Sequence, residues 1–155
     1  MYRETMRRGN LRGTHTWSHK VLPALTNEQI VAQIEWLIWS MNATASHLPK
    51  WCRPPFGGVD GRVRAIVRQF GMQCALWNMD TFDWKLSAGG RNENEILNDV
   101  RTFKQQRNGA GIILEHDVAT VNVNTAVKIG EIVGHDQLTI AQCVGGINYI
   151  KEFNI

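Results

Sequence analysis

Residues 74–84 read CALWNMDTFDW, a mostly apolar run from Cys74 to Met79 followed by a cluster with two carboxylates and two aromatic rings. A strand with one wet face alternates apolar and polar residues. A run that does not alternate predicts a strand buried on both faces, as in parallel sheets covered by helices. The same grammar recurs along the chain. Gly111 to Leu114 leads into EHD (115–117), Trp51 to Arg53 opens into RPPFGG (53–58), and Leu138 to Ile140 makes a further short apolar run.

Helical signals lie between these runs. Thr26 and Gln29 form a capping box ahead of Ile30, Val31, Ile34, Leu37, Ile38 and Met41 at helical spacing. Asp60 caps a second helix with Val63, Ile66, Val67 and Phe70 inward and Gly71 as its stop. Asn92 and Glu95 open a third, through Ile96, Val100 and Phe103 to a stop near Gly109. A fourth is expected from about Asn124, with Ala126, Ile129, Ile132 and Val133 inward and Gly134 ending it. Strand and helix in alternation predict an α/β fold with a parallel sheet or barrel inside. No repeat or low-complexity linker divides residues 1–155, which read as one domain.

Composition narrows the function classes. At 155 residues with 43% hydrophobic and 20% charged residues, the chain has the material for one core and none of the signature of disorder. A net charge of +3 is too mild to point to nucleic acid. No apolar run is long enough for a membrane span, and MYRETMRRGN has no signal-peptide character. Arg3, Arg7, Arg8 and Arg12 read as a solvated helix face. Cys52, Cys74 and Cys143 show neither a CxxC nor a zinc-ribbon spacing, and their pairing stays open. Asn42-Ala43-Thr44 is a glycosylation sequon if the protein is exported.

The polar residues gather at strand ends, in HTWSH (15–19), RPPFGG, DTFDW (80–84) and EHD. In parallel α/β folds the loops after the strands carry the active site. His15 and His19, four apart, would point the same way on a helical turn and could share a divalent ion; the spacing serves equally for polar residues on a turn. Either Asp80 or Asp83 could orient a catalytic histidine, or both could cap turns. His116, directly after Ile112, Ile113, Leu114 and Glu115, suits proton transfer near neutral pH or a structural hydrogen bond. Trp17, Trp51, Trp77 and Trp84 lie in or beside these clusters, where indoles stack on sugars or fill core. His47 and His135 read as surface residues at turns.

HTWSH, RPPFG, DTFDW and LEHD, in this order and spacing, resemble the successive motifs of the polysaccharide deacetylases, carbohydrate esterase family four, and HTWSHKVLPALTNEQI and LTIAQCVGG look most like the fungal chitin deacetylase branch. The resemblance implies an incomplete parallel (β/α) barrel and metal-dependent hydrolysis of N-acetyl groups on chitin or chitooligosaccharide, with zinc or another divalent ion such as cobalt. By position it implies His15 and His19 as metal ligands and His116 as the general acid. Asp83 would tune that histidine, and Arg53 would position the base. Phe56 would offer its backbone N–H to the oxyanion, with Trp84 and Leu114 walling the acetyl methyl. It also implies a secreted or cell-wall protein with no nucleic-acid partner and no membrane span. The family's first motif, a TFDDG-like strand end with the base aspartate and third metal ligand, does not occur before His15. The expectation is therefore a domain that lacks its N-terminal strands, with weakened metal binding, little turnover by itself, and self-association through an opened sheet edge. Within the resemblance, Cys143 matches a cysteine that pairs with one near the domain's start. Two other readings stay open: a catalytically silent glycan-binding remnant, and a deacetylase of peptidoglycan or xylan.

Overall fold

Apolar stripes at helical spacing and short apolar runs between them fold into two compact units in the computed structural model, which describes residues 2–108, 110–135 and 137–153. The first unit comprises residues 1–76 and 138–155, the second residues 77–137.

In the first unit α1 (Tyr2–Arg7) is a short helix on which Glu4 pairs with Arg7 and Arg8 at 2.7 and 2.8 Å. Arg12 departs from the expected solvated face: it is buried, with Nη2 3.4 Å from His47 Nδ1. The side chain of Arg3 lies outside the described residues. Helix α2 (Asn27–Ala45) begins at the expected capping box, with Thr26 Oγ1 accepting from Gln29 N–H and Gln29 Oε1 from Thr26 N–H. Helix α3 (Gly61–Gln69) is capped by Asp60, which accepts from Val63 N–H at 2.7 Å. Ile30 and Ile34 of α2 meet Val63, Ile66 and Val67 of α3, together with Leu22, Cys52 and Met72, in one apolar cluster. Removing this surface from water stabilises the unit at roughly 25 cal/mol per Å². Arg62 ties the preceding loop to α3 by donating to the carbonyls of Pro23 and Leu25.

Strand β1 (His47–Pro49) pairs antiparallel with the last strand of the chain, Tyr149–Glu152, while β2 (Trp51–Cys52) pairs parallel with β3 (Gln73–Cys74). Thr14 adds a parallel bridge to Cys52, so the backbone entering His15 runs alongside the backbone entering Arg53. Gly13 makes this approach feasible, since a Cβ there would sit 2.7 Å from the Trp51 carbonyl oxygen.

In the second unit β4 (Met79–Asp80) pairs parallel with β5 (Ile113–Leu114). Helix α4 (Glu93–Gln106) starts at the expected Asn92–Glu95 capping box; the expected stop at Gly109 lies outside the described residues. Helix α5 (Thr120–Val133) begins about a turn earlier than the expected Asn124, and its first two turns bury Asn122 and Thr125 rather than apolar residues, which hides the start from a hydrophobic pattern. Ile96, Leu97 and Val100 of α4 close over Met79 and Ile129.

The expected strand at Leu138 to Ile140 is instead the start of helix α6 (Ile140–Val144), where Thr139 and Gln142 form a third capping box. The final strand is β6 (Tyr149–Glu152). His47 is fully buried against Tyr149, with ring centroids 4.3 Å apart, so it is not the surface residue its sequence position suggests. Burial depresses its pKa below the ordinary imidazole value.

Candidate active site

Each unit carries two of the four polar clusters at the C-terminal ends of parallel strand segments. In the first unit these are HTWSH, after the Thr14 bridge, and RPPFGG, after β2. His15 and His19 do come together, with ring centroids 4.8 Å apart, but not on a helical turn. The stretch is irregular: Thr16 and His19 hold left-handed backbone angles (φ 64° and 54°), which fold the loop back on itself. The loop is anchored to α2, where Gln33 accepts from Trp17 N–H through its carbonyl and from Ser18 N–H through Oε1.

His15 Nδ1 lies 2.5 Å from the Arg53 carbonyl oxygen. A carbonyl only accepts, so Nδ1 carries the hydrogen and Nε2 is the nitrogen with the lone pair, the arrangement that orients a metal-binding imidazole. Two imidazoles on one tetrahedral zinc, with Zn–N of about 2.0–2.1 Å, set their ring centroids roughly 5 Å apart. The observed 4.8 Å fits such a pair. Among the described residues, no group of three or more His, Cys, Asp or Glu side chains lies together as a complete metal cage.

Phe56 stacks edge-on to His19 at 4.8 Å and is 67% exposed. Its left-handed φ of 57° is strain of the kind that persists where surrounding structure enforces it, here the turn closed by Gly57 N–H to Pro54 O and Gly58 N–H to Pro55 O. The Arg53 side chain is half-buried, and that burial lowers its pKa from the usual value.

In the second unit DTFDW begins at the last residue of β4 and EHD follows β5. Asp80 makes a turn, accepting from Phe82 N–H at 2.8 Å. Asp83 faces His116: its Oδ2 accepts from the His116 backbone N–H and its Oδ1 lies against His116 Nδ1, both at 2.7 Å. The carboxylate is 1% exposed and the imidazole 27%, so one end of the ring is clamped and the other reaches toward solvent. A carboxylate on Nδ1 fixes that nitrogen as the protonated one and directs Nε2 outward, the geometry of a positioned acid or base.

Several residues behind this pair carry no signal in the sequence pattern. Thr81 Oγ1 donates to Leu114 O and accepts from Asp83 N–H. Buried Asn122, on α5, donates to Asp83 O at 2.7 Å. Glu115 is held up to about pH 7 by burial and by the neighbouring Asp83 charge. Leu114 is buried in β5, and Trp84 is half-exposed beside Lys85, whose Nζ lies over its ring. The Thr81–Leu114 and Asn122–Asp83 bonds and the Glu115–Asp83 proximity join residues more than thirty apart, so only burial or pairing could have found them.

The known proteins this chain is similar to agree with one another. A "Polysaccharide deacetylase" family profile matches residues 1–75. Chitin deacetylase 1 of Saccharomyces cerevisiae is 56% identical over 156 residues, covering 99% of this chain and 51% of the relative, and chitin deacetylase 2 of that yeast is 54% identical with similar coverage. The chain thus spans about half the length of these curated relatives. Among solved structures, the peptidoglycan deacetylase PdaC of Bacillus subtilis superimposes with a TM-score of 0.75 at 29% identity, over 93% of this chain and 68% of that one. The chitin deacetylase of Colletotrichum lindemuthianum superimposes at 0.76 over 98% of this chain and 72% of that one, at 21% identity, a likeness of fold alone. These matches bear out the fold class expected from the sequence, an incomplete parallel (β/α) barrel, and with the four motifs in order they establish that the chain belongs to the polysaccharide deacetylase family.

Proposed function

We propose that the protein carrying this chain hydrolyses N-acetyl groups of N-acetylglucosamine residues in chitin or a chitin-like polysaccharide. The observation that carries this reading is the 56% identity to a yeast chitin deacetylase along 99% of the chain. Metal dependence is a general property of the family; imidazole ligands suit zinc among the first-row divalent ions, and zinc, or another such ion like cobalt, is the one proposed here. A divalent ion held by His15 and His19, with a further donor, would activate water near neutral pH and polarise the acetyl carbonyl.

The chain's own residues divide the remaining work. The Arg53 carbonyl keeps the His15 ring in the ligating tautomer, and the Arg53 guanidinium serves to position the catalytic base. The backbone N–H of Phe56 donates to the oxyanion, and Trp84 and Leu114 exclude water around the acetyl methyl. His116 holds a proton on Nε2 and passes it to the departing amine, while Asp83 keeps the ring from turning or changing tautomer. Residues 1–155 act as part of one deacetylase domain, and the protein works at the cell wall or outside the cell. Among the described residues no helix is long and apolar enough to cross a membrane.

The test is acetate release by the full gene product, loaded with zinc, from a panel of chitin oligomers, peptidoglycan fragments and acetylated xylan. Release from chitin oligomers is expected to be fastest. Faster release from peptidoglycan or xylan would reassign the substrate, and no release from any glycan would leave a glycan-binding role in place of the enzyme.

A further inference from the structure

Two of the three cysteines meet where the deacetylase reading gives them nothing to do. Strands β2 and β3 are parallel neighbours with Cys52 directly opposite Cys74. Cys52 belongs to the apolar cluster of this unit and Cys74 packs against the same cluster, so both side chains project to the same face of the strand pair. Adjacent strands run about 4.8 Å apart, within the Cα separation of roughly 4.4–6.8 Å that a disulfide spans. We propose that Cys52 and Cys74 are a redox pair that closes to a disulfide stapling β2 to β3, while Cys143, exposed on α6, stays outside it.

The two thiols are not equivalent. Cys52 is fully buried, whereas Cys74 is partly accessible on the edge near α3. The neighbouring Cys52 thiol lowers the Cys74 pKa against the effect of burial, and Arg64 and Arg68 on α3 lower it further. The Cys74 neighbour, with burial, raises that of Cys52. Cys74 is accordingly the attacking thiolate. With a small-molecule disulfide as oxidant, the Cys74 thiolate attacks one of its sulfurs and expels a thiolate, leaving a mixed disulfide on Cys74. The Cys52 thiol loses its proton to solvent and attacks the Cys74 sulfur. The second reagent thiolate leaves, so two protein thiols become one disulfide and the reagent disulfide becomes two thiols.

The staple reaches the candidate site through the backbone. Cys52 is bridged to Thr14, the residue before His15, and it directly precedes Arg53, whose carbonyl holds the His15 ring. A bond at Cys52 therefore fixes the strand from which both are presented. This holds whether or not the protein deacetylates chitin.

The test is thiol mapping of the folded 155-residue chain after equilibration with oxidised glutathione, followed by alkylation, proteolysis and mass spectrometry. The expected result is a cross-linked peptide pair carrying Cys52 and Cys74, lighter by about 2 Da than the sum of the reduced peptides, with Cys143 alkylated. The link should persist in Cys143→Ser and vanish in Cys74→Ser. The urea midpoint should rise on oxidation of the parent chain and stay fixed in Cys74→Ser. Full alkylation of all three cysteines after oxidation would overturn the proposal, as would a stable glutathione adduct on Cys74 with Cys52 still alkylatable, or a link involving Cys143. To guard against a Cys74→Ser chain that fails to fold, the parent is also oxidised in concentrated urea. There the Cys52–Cys74 link should lose its preference over links to Cys143, and an equal preference folded and unfolded would also sink the idea.

Discussion

Replacing Asp83 with Asn changes one atom of the pair with His116 and tests what that carboxylate does. Both carboxylate oxygens accept, one from the His116 backbone N–H and one against Nδ1, each at 2.7 Å, in a place only 1% exposed. Asn offers one acceptor and one NH₂ group. A backbone N–H can only donate, so the amide oxygen must face it, and the NH₂ then faces Nδ1, which has to become the acceptor. The ring is driven into the Nε2–H tautomer, the reverse of the one a carboxylate sets. Two charge-assisted bonds become neutral ones, a loss of about 2 kcal/mol, whereas Asp83→Ala leaves two donors without an acceptor and costs about 3 kcal/mol or more. Urea unfolding of the parent and both variants gives the energies, and nitrogen-15 NMR of the imidazole gives the tautomer. In the active gene product, Asp83→Asn should also lower acetate release by about two to four orders of magnitude, because the acid form needs an acceptor at Nδ1. An Asn variant that keeps the parent's stability and a protonated Nδ1 would refute the reasoning.

Three further outcomes are expected. Calorimetric titration of zinc into this chain should show a weak site that disappears in the His15→Ala, His19→Ala double variant, and identical isotherms would remove both residues from metal binding. Glu115, raised from an ordinary 4.5 to about 7 by burial and the Asp83 charge, binds its proton more tightly folded than unfolded. Its contribution to stability is thus complete below about pH 4.5 and lost as pH rises through about 7, so the difference in urea midpoint between the parent and Glu115→Gln should change across that window and be flat above it. Gly13→Ala drives a Cβ to 2.7 Å from the Trp51 carbonyl oxygen, a backbone atom, and should cost about 1–3 kcal/mol in urea unfolding and weaken the zinc binding proposed for the neighbouring His15. Parent-like stability would mean that β2 can move freely relative to Thr14.

What the sequence revealed of the fold follows the range of the forces involved. The capping boxes at Thr26–Gln29 and Asn92–Glu95 are legible because each is a contact between residues three apart. Thr139–Gln142 is the same device, yet Leu138, Thr139 and Ile140 also suit a strand, and only the glutamine distinguishes the two. Strands β1 and β6 are not legible: a pairing between residues about a hundred apart leaves no local trace, and His47 and Pro49 are poor advertisements for a strand. The burial of His47 follows from the same pairing, which brings Tyr149 onto its ring.

The candidate site divides along the same line. The meeting of His15 and His19 is legible in their spacing, but the backbone that achieves it is a loop with two left-handed residues rather than a helical turn. Asp80 and Asp83 are chemically equal in the sequence and differ only in what stands opposite: Phe82 N–H for one, His116 for the other. Asn122 and Thr81, which hold the Asp83 loop from behind, look like ordinary polar residues until their burial is known.

The account's central claim is tested most directly by acetate release from chitin oligomers catalysed by the full gene product and by its His116→Ala variant, with zinc content measured on the same samples. The account predicts turnover by the parent, a drop of about two to four orders of magnitude in the variant, and equal zinc in both. Near-parental turnover by His116→Ala, at equal zinc, would contradict it.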